Sequence, residues 1–408
     1  MCRIRDIKLA PSGRQKIEWV KPRMPVLTKL ASEMKGAFDR VSISMSIHLE
    51  AKTAYLAQVV SDCGAKVAIC GSNPLSTQDD VAAALASSGV DVYAKHGETE
   101  KEHKENIKST LSNHPTLVLD DGADLVVEIS ENAKRYNVLC ATEETTSGIT
   151  RMRALETAKR LPCPVITVND AQSKYLFDNR YGTGQSSWDG IMRTTNLTVC
   201  GKTVVVAGYG WVGRGLAMRA SGLGARVVVT EVDPIRAMEA HFDGFVVKTM
   251  EEAAPVGDIF VTATGDTNII DKRHFELLKE GSILSNAGHF DVEVAMNELR
   301  DYAVSSREVR RNITEYTLPS GKKINVLGEG RLVNLACGDG HPAEIMDLSF
   351  ALQLLSLHYG LTNGLKMPKS LHRVPDDVDR RVAVLKLESH GIKIDKLTEQ
   401  QKKYLASW

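Results

Sequence analysis

No apolar run in this chain approaches the ~20 residues that a membrane helix needs. The opening residues, MCRIRDIKLAPSGRQKIEW, are polar and contain no apolar signal core. Excess charge is missing too: Lys plus Arg is 51 and Asp plus Glu is 51. A membrane partner and a general nucleic-acid surface are therefore not expected. No two of the seven cysteines are spaced CxxC, and seven is odd. Free thiols in a reducing cytoplasm are expected, with no zinc cluster or other metal site. Repeats, low-complexity tracts and long linkers are absent as well. What is there is a globular balance, 43% apolar and 25% charged over 408 residues. That length suffices for two or three domains.

Short β-branched runs alternate with helix-like stretches almost throughout. Lys66–Cys70, Thr116–Leu119, Val138–Ala141, Val165–Val168, Thr203–Ala207, Arg226–Thr230, Asp258–Ala263 and Ser282–Ser285 are such runs. This is the pattern of parallel sheets covered by helices on both faces. The expected fold is α/β: two Rossmann-like, doubly wound parallel-sheet domains with a cleft between them, plus a small helical C-terminal tail. The stretch Tyr181–Ser187 marks one boundary and Cys337–Pro342 a second, where the strand pattern stops. Beyond it, Glu344–Tyr359 reads as an apolar helix. The tail ends in an aromatic residue, as segments that pack on another subunit often do.

Val204–Gly215 reads VVVAGYGWVGRG. A buried-strand run enters G-x-G-x-x-G at Gly208, Gly210 and Gly213. The first glycine permits the tight turn, the second lets a pyrophosphate approach the backbone, and the third lets helix and strand pack closely. The following helix offers free N–H groups and a partial positive charge. Glu231 ends the next strand, near the expected position ~20 residues on, where a carboxylate binds both ribose hydroxyls and repels a 2′-phosphate. NAD is thus expected over NADP, with Arg236 as the opposing signal. The expected division is a substrate-binding domain at 1–184, an NAD-binding Rossmann domain at 185–340, a return segment at 341–375 and an oligomerisation tail at 376–408.

Polar clusters follow several strands, at the carboxyl ends where open α/β sheets place ligands. They are Ser44–Thr53, Leu119–Leu125, Cys140–Thr150, Val168–Tyr181 and Asn286–Asp291. Each residue taken singly also suits an ordinary role. Asp120 or Asp121 serves to cap a turn, Thr145 to Ser147 to cap a helix, Lys174 to be solvated, His289 to sit in a core. Their recurrence at successive strand ends favours a site. Lys174 and Asp178 are spaced i,i+4, so a helix there would put both on one face.

At these residues the sequence resembles the S-adenosyl-L-homocysteine hydrolase family, in its shorter form. The matching blocks are SIHLEAKTA, NPLSTQDD, LDDGADL, TEETTSG, the NDA…K…FDN stretch, VVVAGYGWVGRG, TEVDP, NAGHFD and EGRLVNLACGDGHP. They run in the family's order along nearly the whole chain. The resemblance implies reversible hydrolysis of a nucleoside thioether by an internal NAD redox cycle. The 3′-hydroxyl is oxidised, C4′ is deprotonated, homocysteine leaves by β-elimination, water adds and the ketone is reduced.

By position in these motifs, Lys174 would assist deprotonation of the 3′-hydroxyl, a role that requires a lowered pKa. Glu144 and Asp178 would hold the ribose hydroxyls. Asp121 would be the base at C4′. His48 would handle protons at C5′, and Asn179 would support the nicotinamide side. The implied cofactor contacts are Thr145, Thr146, Ser147, Asn179, Gly208, Gly210, Trp211, Val212, Gly213, Glu231, Arg236, Thr264, Ala287, Gly288, His289 and Asn334. Tyr404 would reach the NAD of a neighbouring subunit in a homotetramer. Ser76, Glu50, Lys52, His289 and His341 would join the substrate contacts.

The chain departs from the family at the purine-facing positions. Glu50 and Lys52 stand where many members carry Thr and Glu. Lysine has only donors, so a hypoxanthine carbonyl suits it and S-inosyl-L-homocysteine becomes the alternative substrate. Thr183 replaces a common cysteine, Gln400 a lysine and Arg236 an asparagine. An NAD-dependent hydroxyacid dehydrogenase and a non-catalytic family member are the remaining rivals. The first leaves Lys174, Asp178 and Asn179 without a purpose; the second should have lost them.

Overall fold

The computed structural model describes residues 2–408. Six strands build the first sheet: β1 (Ser42–Ser46), β2 (Lys66–Cys70), β3 (Asp91–Tyr93), β4 (Leu117–Asp120), β5 (Cys140–Glu143) and β6 (Val165–Thr167). All pair in parallel, in the order 6-5-4-1-2-3. The chain leaves β1 toward β2 and β3, then returns to the other side of β1 with β4. The crevice of a doubly wound sheet opens where the strand order reverses, here between β1 and β4.

A second sheet holds β7 (Thr203–Ala207), β8 (Arg226–Thr230), β9 (Val246–Val247), β10 (Ile259–Thr262), β11 (Ile283–Asn286), β12 (Ser305–Arg310), β13 (Ile313–Thr317) and β14 (Lys323–Leu327). Their order is 12-13-14-11-10-7-8-9. Every residue of β7 is buried, as expected for a strand covered on both faces. The reversal falls between β7 and β10, beside the glycine loop. The pairs β12–β13 and β13–β14 are antiparallel, a departure from the all-parallel expectation. β12 reads SSREVR and is exposed along its whole length, so no buried run betrays it.

The chain then returns. Helix Ala343–Asn363 is buried along most of its length and packs across β4 and β5. β15 (Leu371–Arg373) joins the free edge of β6 in parallel. Helix Asp376–Ser389 buries Val382 and Leu385 in the first unit's core. The first part of the expected oligomerisation tail thus packs on its own chain. Beyond it Ile392, Ile394, Leu397, Tyr404, Leu405 and Trp408 are all exposed.

Helix Thr183–Thr195 carries the outward crossing and lies against the dinucleotide helix Trp211–Gly222. The approach is so close that a Cβ on Gly184 would fall 2.7 Å from the Gly215 backbone. All seven cysteines are free. Among the described residues no helix is long and apolar enough to cross a membrane.

Candidate active site

The two strand-order reversals face one cavity of about 330 Å³. From the first sheet come His48 after β1, Asp121 after β4, Glu144 to Ser147 after β5, and Lys174, Asp178 and Asn179 after β6. From the second come Gly210, Trp211 and Val212 after β7, Thr264 after β10, Ala287, Gly288 and His289 after β11, and Asn334 beyond β14. Glu50, Lys52, Arg236 and His341 also line it, and Leu332, Leu335, Met346 and Phe350 give apolar wall.

Lys174 ends a short helical turn, Gln172–Lys174, which widens into a π-helical run, Tyr175–Gly182. An i,i+5 repeat brings the fifth residue onward over the first, and such turns cluster at functional sites. Lys174 Nζ accordingly donates to Asn179 Oδ1 at 2.7 Å, and to Asn169 Oδ1 at 3.2 Å. Asp178 Oδ1 lies 3.5 Å and Glu144 Oε1 3.8 Å from the same nitrogen. Two donors arrive from helix Ala343–Asn363: Ser349 Oγ on Asp178 Oδ2 at 2.6 Å and Gln353 Nε2 on Glu144 Oε2 at 2.5 Å. All five polar residues Glu144, Lys174, Asp178, Ser349 and Gln353 are buried.

Two carboxyls and one ammonium share this buried pocket. Burial alone would push Lys174 down, but Asp178 and Glu144 outweigh it and its pKa is raised. Burial likewise works to raise Asp178, yet Lys174, His341 and Ser349 hold it below the usual carboxylate range. Burial drives Glu144 up to about 8 against the pull of Lys174. One ammonium matches one carboxylate, so Asp178 keeps the charge and Glu144 keeps a proton. The two acids thus work against the lowered pKa that the expected role of Lys174 requires.

On the opposite wall His48 Nε2 lies 3.6 Å from Asp121 Oδ2, and His289 Nδ1 3.9 Å from Asp121 Oδ1. One ligand atom of each lies within 4.8 Å of the others. Burial, then the neighbouring His289 and His341, hold His48 well below the ordinary histidine value. Burial raises Asp121, with His289 and Lys174 opposing. Ser76 Oγ contacts His48 Nδ1 at 2.8 Å and donates to Asn73 O at 3.0 Å. Ser72 Oγ also reaches Nδ1, at 3.2 Å, so Nδ1 sits between two hydroxyls while Nε2 faces the cavity and Asp121.

The glycine loop is built as its motif demands. Gly208 has φ +94°, and a Cβ on Gly213 would fall 1.9 Å from Gly208 O. At Gly210 the nearest atom to a Cβ is Arg236 Nη1 at 3.9 Å, so the backbone is open to a pyrophosphate. Ser147 Oγ and Asn334 Oδ1 are buried without a protein partner, as groups reserved for a ligand would be. The residues present fit a dinucleotide.

The sequence matches the model for S-adenosyl-L-homocysteine hydrolase over residues 1–142 and that family's NAD binding domain over 179–340. An adenosylhomocysteinase of Thermococcus kodakarensis is 54% identical over 99% of this chain and 97% of its own. One of Thermotoga maritima is 54% identical over 97% and 99%. The chain belongs to the S-adenosyl-L-homocysteine hydrolase family. Within the family, an S-inosyl-L-homocysteine hydrolase of Methanococcus maripaludis is 52% identical over 100% of this chain and 99% of its own. The family's cofactor is NAD, and its dinucleotide domain is the one carrying the glycine loop here.

Most of the residues expected from the sequence line the cavity, but five do not. Ser76 stands behind His48. Gly208 and Gly213 shape the turn. Glu231 accepts from the backbone N–H groups of Tyr209, Val232 and Asp233 and thereby braces the loop. Tyr404 is 78% exposed on the tail, outside this chain's cavity. Sequence reasoning missed Ser349, Gln353 and Asn169. The first two are polar residues four apart in a largely apolar helix, SFALQ, and that spacing was the available signal.

Proposed function

We propose that the chain hydrolyses S-adenosyl-L-homocysteine, reversibly, to adenosine and homocysteine. The observation that carries this reading is that the buried Lys174–Asp178–Glu144 triad, the His48–Asp121 pair and Gly210 of the glycine loop line one cavity. Bound NAD supplies a two-electron oxidant for the 3′-alcohol and returns the electrons at the end. Glu144 and Asp178 hold the ribose hydroxyls, and the triad takes the 3′-hydroxyl proton. The resulting ketone makes the C4′ proton acidic, and Asp121 removes it. The thiolate leaves C5′. His48 Nε2 then takes a proton from water as its oxygen adds to C5′, and passes that proton to the thiolate. Asp121 returns its proton to C4′, and the triad returns its proton to the 3′-oxygen as the electrons come back.

A second reading, S-inosyl-L-homocysteine, is favoured by one contact set. Lys52 Nζ holds Glu50 Oε2 at 2.6 Å and Asp339 O at 3.0 Å, leaving one N–H for a ligand acceptor. Glu50 also caps its helix, accepting from Lys52 N and Thr53 N. The pair thus offers a donor, which suits a purine carbonyl.

The proposed division is 1–184 for substrate, 185–340 for NAD and 341–375 for the return. Residues 376–408 include the exposed stretch from Ile392 to Trp408, which supports a homotetramer whose Tyr404 serves a neighbour, and the free cysteines suit a reducing cytoplasm. Homocysteine release from the two thioethers, measured side by side, tests the function and chooses the base. Thiol should appear without matching release of free NADH. Stoichiometric NADH would establish a dehydrogenase instead, and no thiol from either compound would end the reading.

A further inference from the structure

Glu143 closes β5, one residue before Glu144, and has no part in the chemistry above. It is wholly buried. Among the described residues it forms no ion pair; its partners are backbone N–H groups. Oε1 accepts from Gly122 N and from Thr145 N, each at 2.9 Å, and Oε2 accepts from Ala123 N at 3.1 Å. Ala123 has φ +69°, a conformation that residues with a Cβ rarely adopt. Across the same turn Arg151 Nη1 donates to Gly122 O. Space for the carboxyl comes from Gly148, where a Cβ would lie 2.2 Å from both Cδ and Oε1 of Glu143. Two of the three backbone bonds and the strained turn fall on the residues that immediately follow Asp121, and the glycine gap makes room for the carboxyl that holds them.

We propose that Glu143 is a positioning residue: its carboxyl locks the Gly122–Ala123 turn and so aims Asp121 for proton transfer at C4′. The proposal rests on the role given to Asp121 above. Oxidation of the 3′-hydroxyl should depend on Glu143 only through its bond to Thr145 N, because the Lys174, Asp178 and Glu144 side chains are held by Asn169, Asn179, Ser349 and Gln353. The two half-reactions can therefore be separated.

Glu143→Gln keeps the shape and one acceptor. That acceptor belongs where two donors meet, at Gly122 N and Thr145 N, which turns the amide NH₂ against Ala123 N–H. Gly148→Ala reaches the same carboxyl from the other side without changing charge. The holoenzyme variants are given adenosine or inosine, whichever the unaltered chain oxidises, in D₂O. Exchange of the C4′ hydrogen should fall about tenfold or more, while the bound reduced-nicotinamide absorbance stays within about twofold. Amide exchange at Ala123, followed by mass spectrometry without substrate, should quicken in both variants. If Glu143→Gln does not fold, Gly148→Ala carries the test alone. Normal C4′ exchange, or both half-reactions falling together with Ala123 protection unchanged, overturns the proposal. If the unaltered chain never reduces its nicotinamide, the functional reading fails, while the Ala123 amide still reports on the clamp.

Discussion

Lys174 illustrates how a residue type can be legible while its state is not. The sequence marks the lysine by its motif, but its protonation depends on how many acids the fold brings to it. Two carboxyls hold it as an ammonium, and the surplus acid, Glu144, keeps a proton up to about pH 8. Below that pH the proposed triad offers only Asp178, a weak base, for the 3′-hydroxyl proton; above it Glu144 is open as well. Formation of bound reduced nicotinamide, followed by stopped-flow absorbance, should rise as pH passes through about 8. Glu144→Gln removes the titrating acid and should flatten that limb, with a slower overall rate. A limb unchanged in the variant would assign the titration elsewhere. Glu50 is a second case. Its capping of helix Ala51–Asp62 is an ordinary local role, and its ion pair with Lys52 is visible only in three dimensions.

Elements show where periodicity speaks and where it is silent. Strands buried on both faces were legible to within one or two residues, as β7 and β8 were, because continuous β-branched runs have no other use. β12 was not, since an edge strand facing water needs no apolar pattern. Nor was the π-helical run at Tyr175–Gly182, whose i,i+5 register leaves no mark on residue choice. The i,i+4 spacing of Lys174 and Asp178 was noticed, yet the shorter contact falls on Asn179. Helix pairs also carry unread charge. His103, on helix Glu100–Thr110, contacts Glu98 at 2.6 Å and lies 3.5 Å from Asp124 at the start of helix Asp124–Glu131. Burial lowers its pKa, but Asp124 and Glu98 outweigh that and lift it to about 9. A raised histidine stabilises the fold fully below its unfolded value, near 6.5, and loses that contribution as pH climbs through about 9. His103→Gln should therefore lower stability by on the order of 2 kcal/mol at pH 6. The difference should shrink toward pH 10, as read from urea midpoints. A pH-independent deficit would mean lost packing and not lost charge.

At the scale of the molecule, two sheets turn their strand-order reversals toward each other, and the chain crosses between them twice. The crossings touch: Thr183 Oγ1 lies 2.8 Å from His341 Nε2. The fold class and the middle placement of the dinucleotide unit could be read from strand runs and the glycine loop. Their mutual orientation could not, because it is set by contacts such as Gly184 on Gly215 that involve no distinctive side chains. The tail divides likewise. Val382 and Leu385 anchor its first helix to the core, while the apolar residues from Ile392 onward are exposed. Ending the chain after Gly391 should leave the fold intact and convert the proposed tetramer to smaller species in sedimentation, with weaker NAD retention. An unchanged sedimentation coefficient would remove the tail from the assembly.

The long return helix has a consequence for how the enzyme is made. Synthesis runs from the first residue to the last, so the dinucleotide unit emerges before Ser349 and Gln353 exist. Until those two arrive, Asp178 and Glu144 lack their hydroxyl and amide donors, and β6 lacks its neighbour β15. A nascent chain halted at the end of the inserted unit would own every catalytic side chain named above and still have no finished pocket. Competence is conferred late, by the segment that closes the circuit.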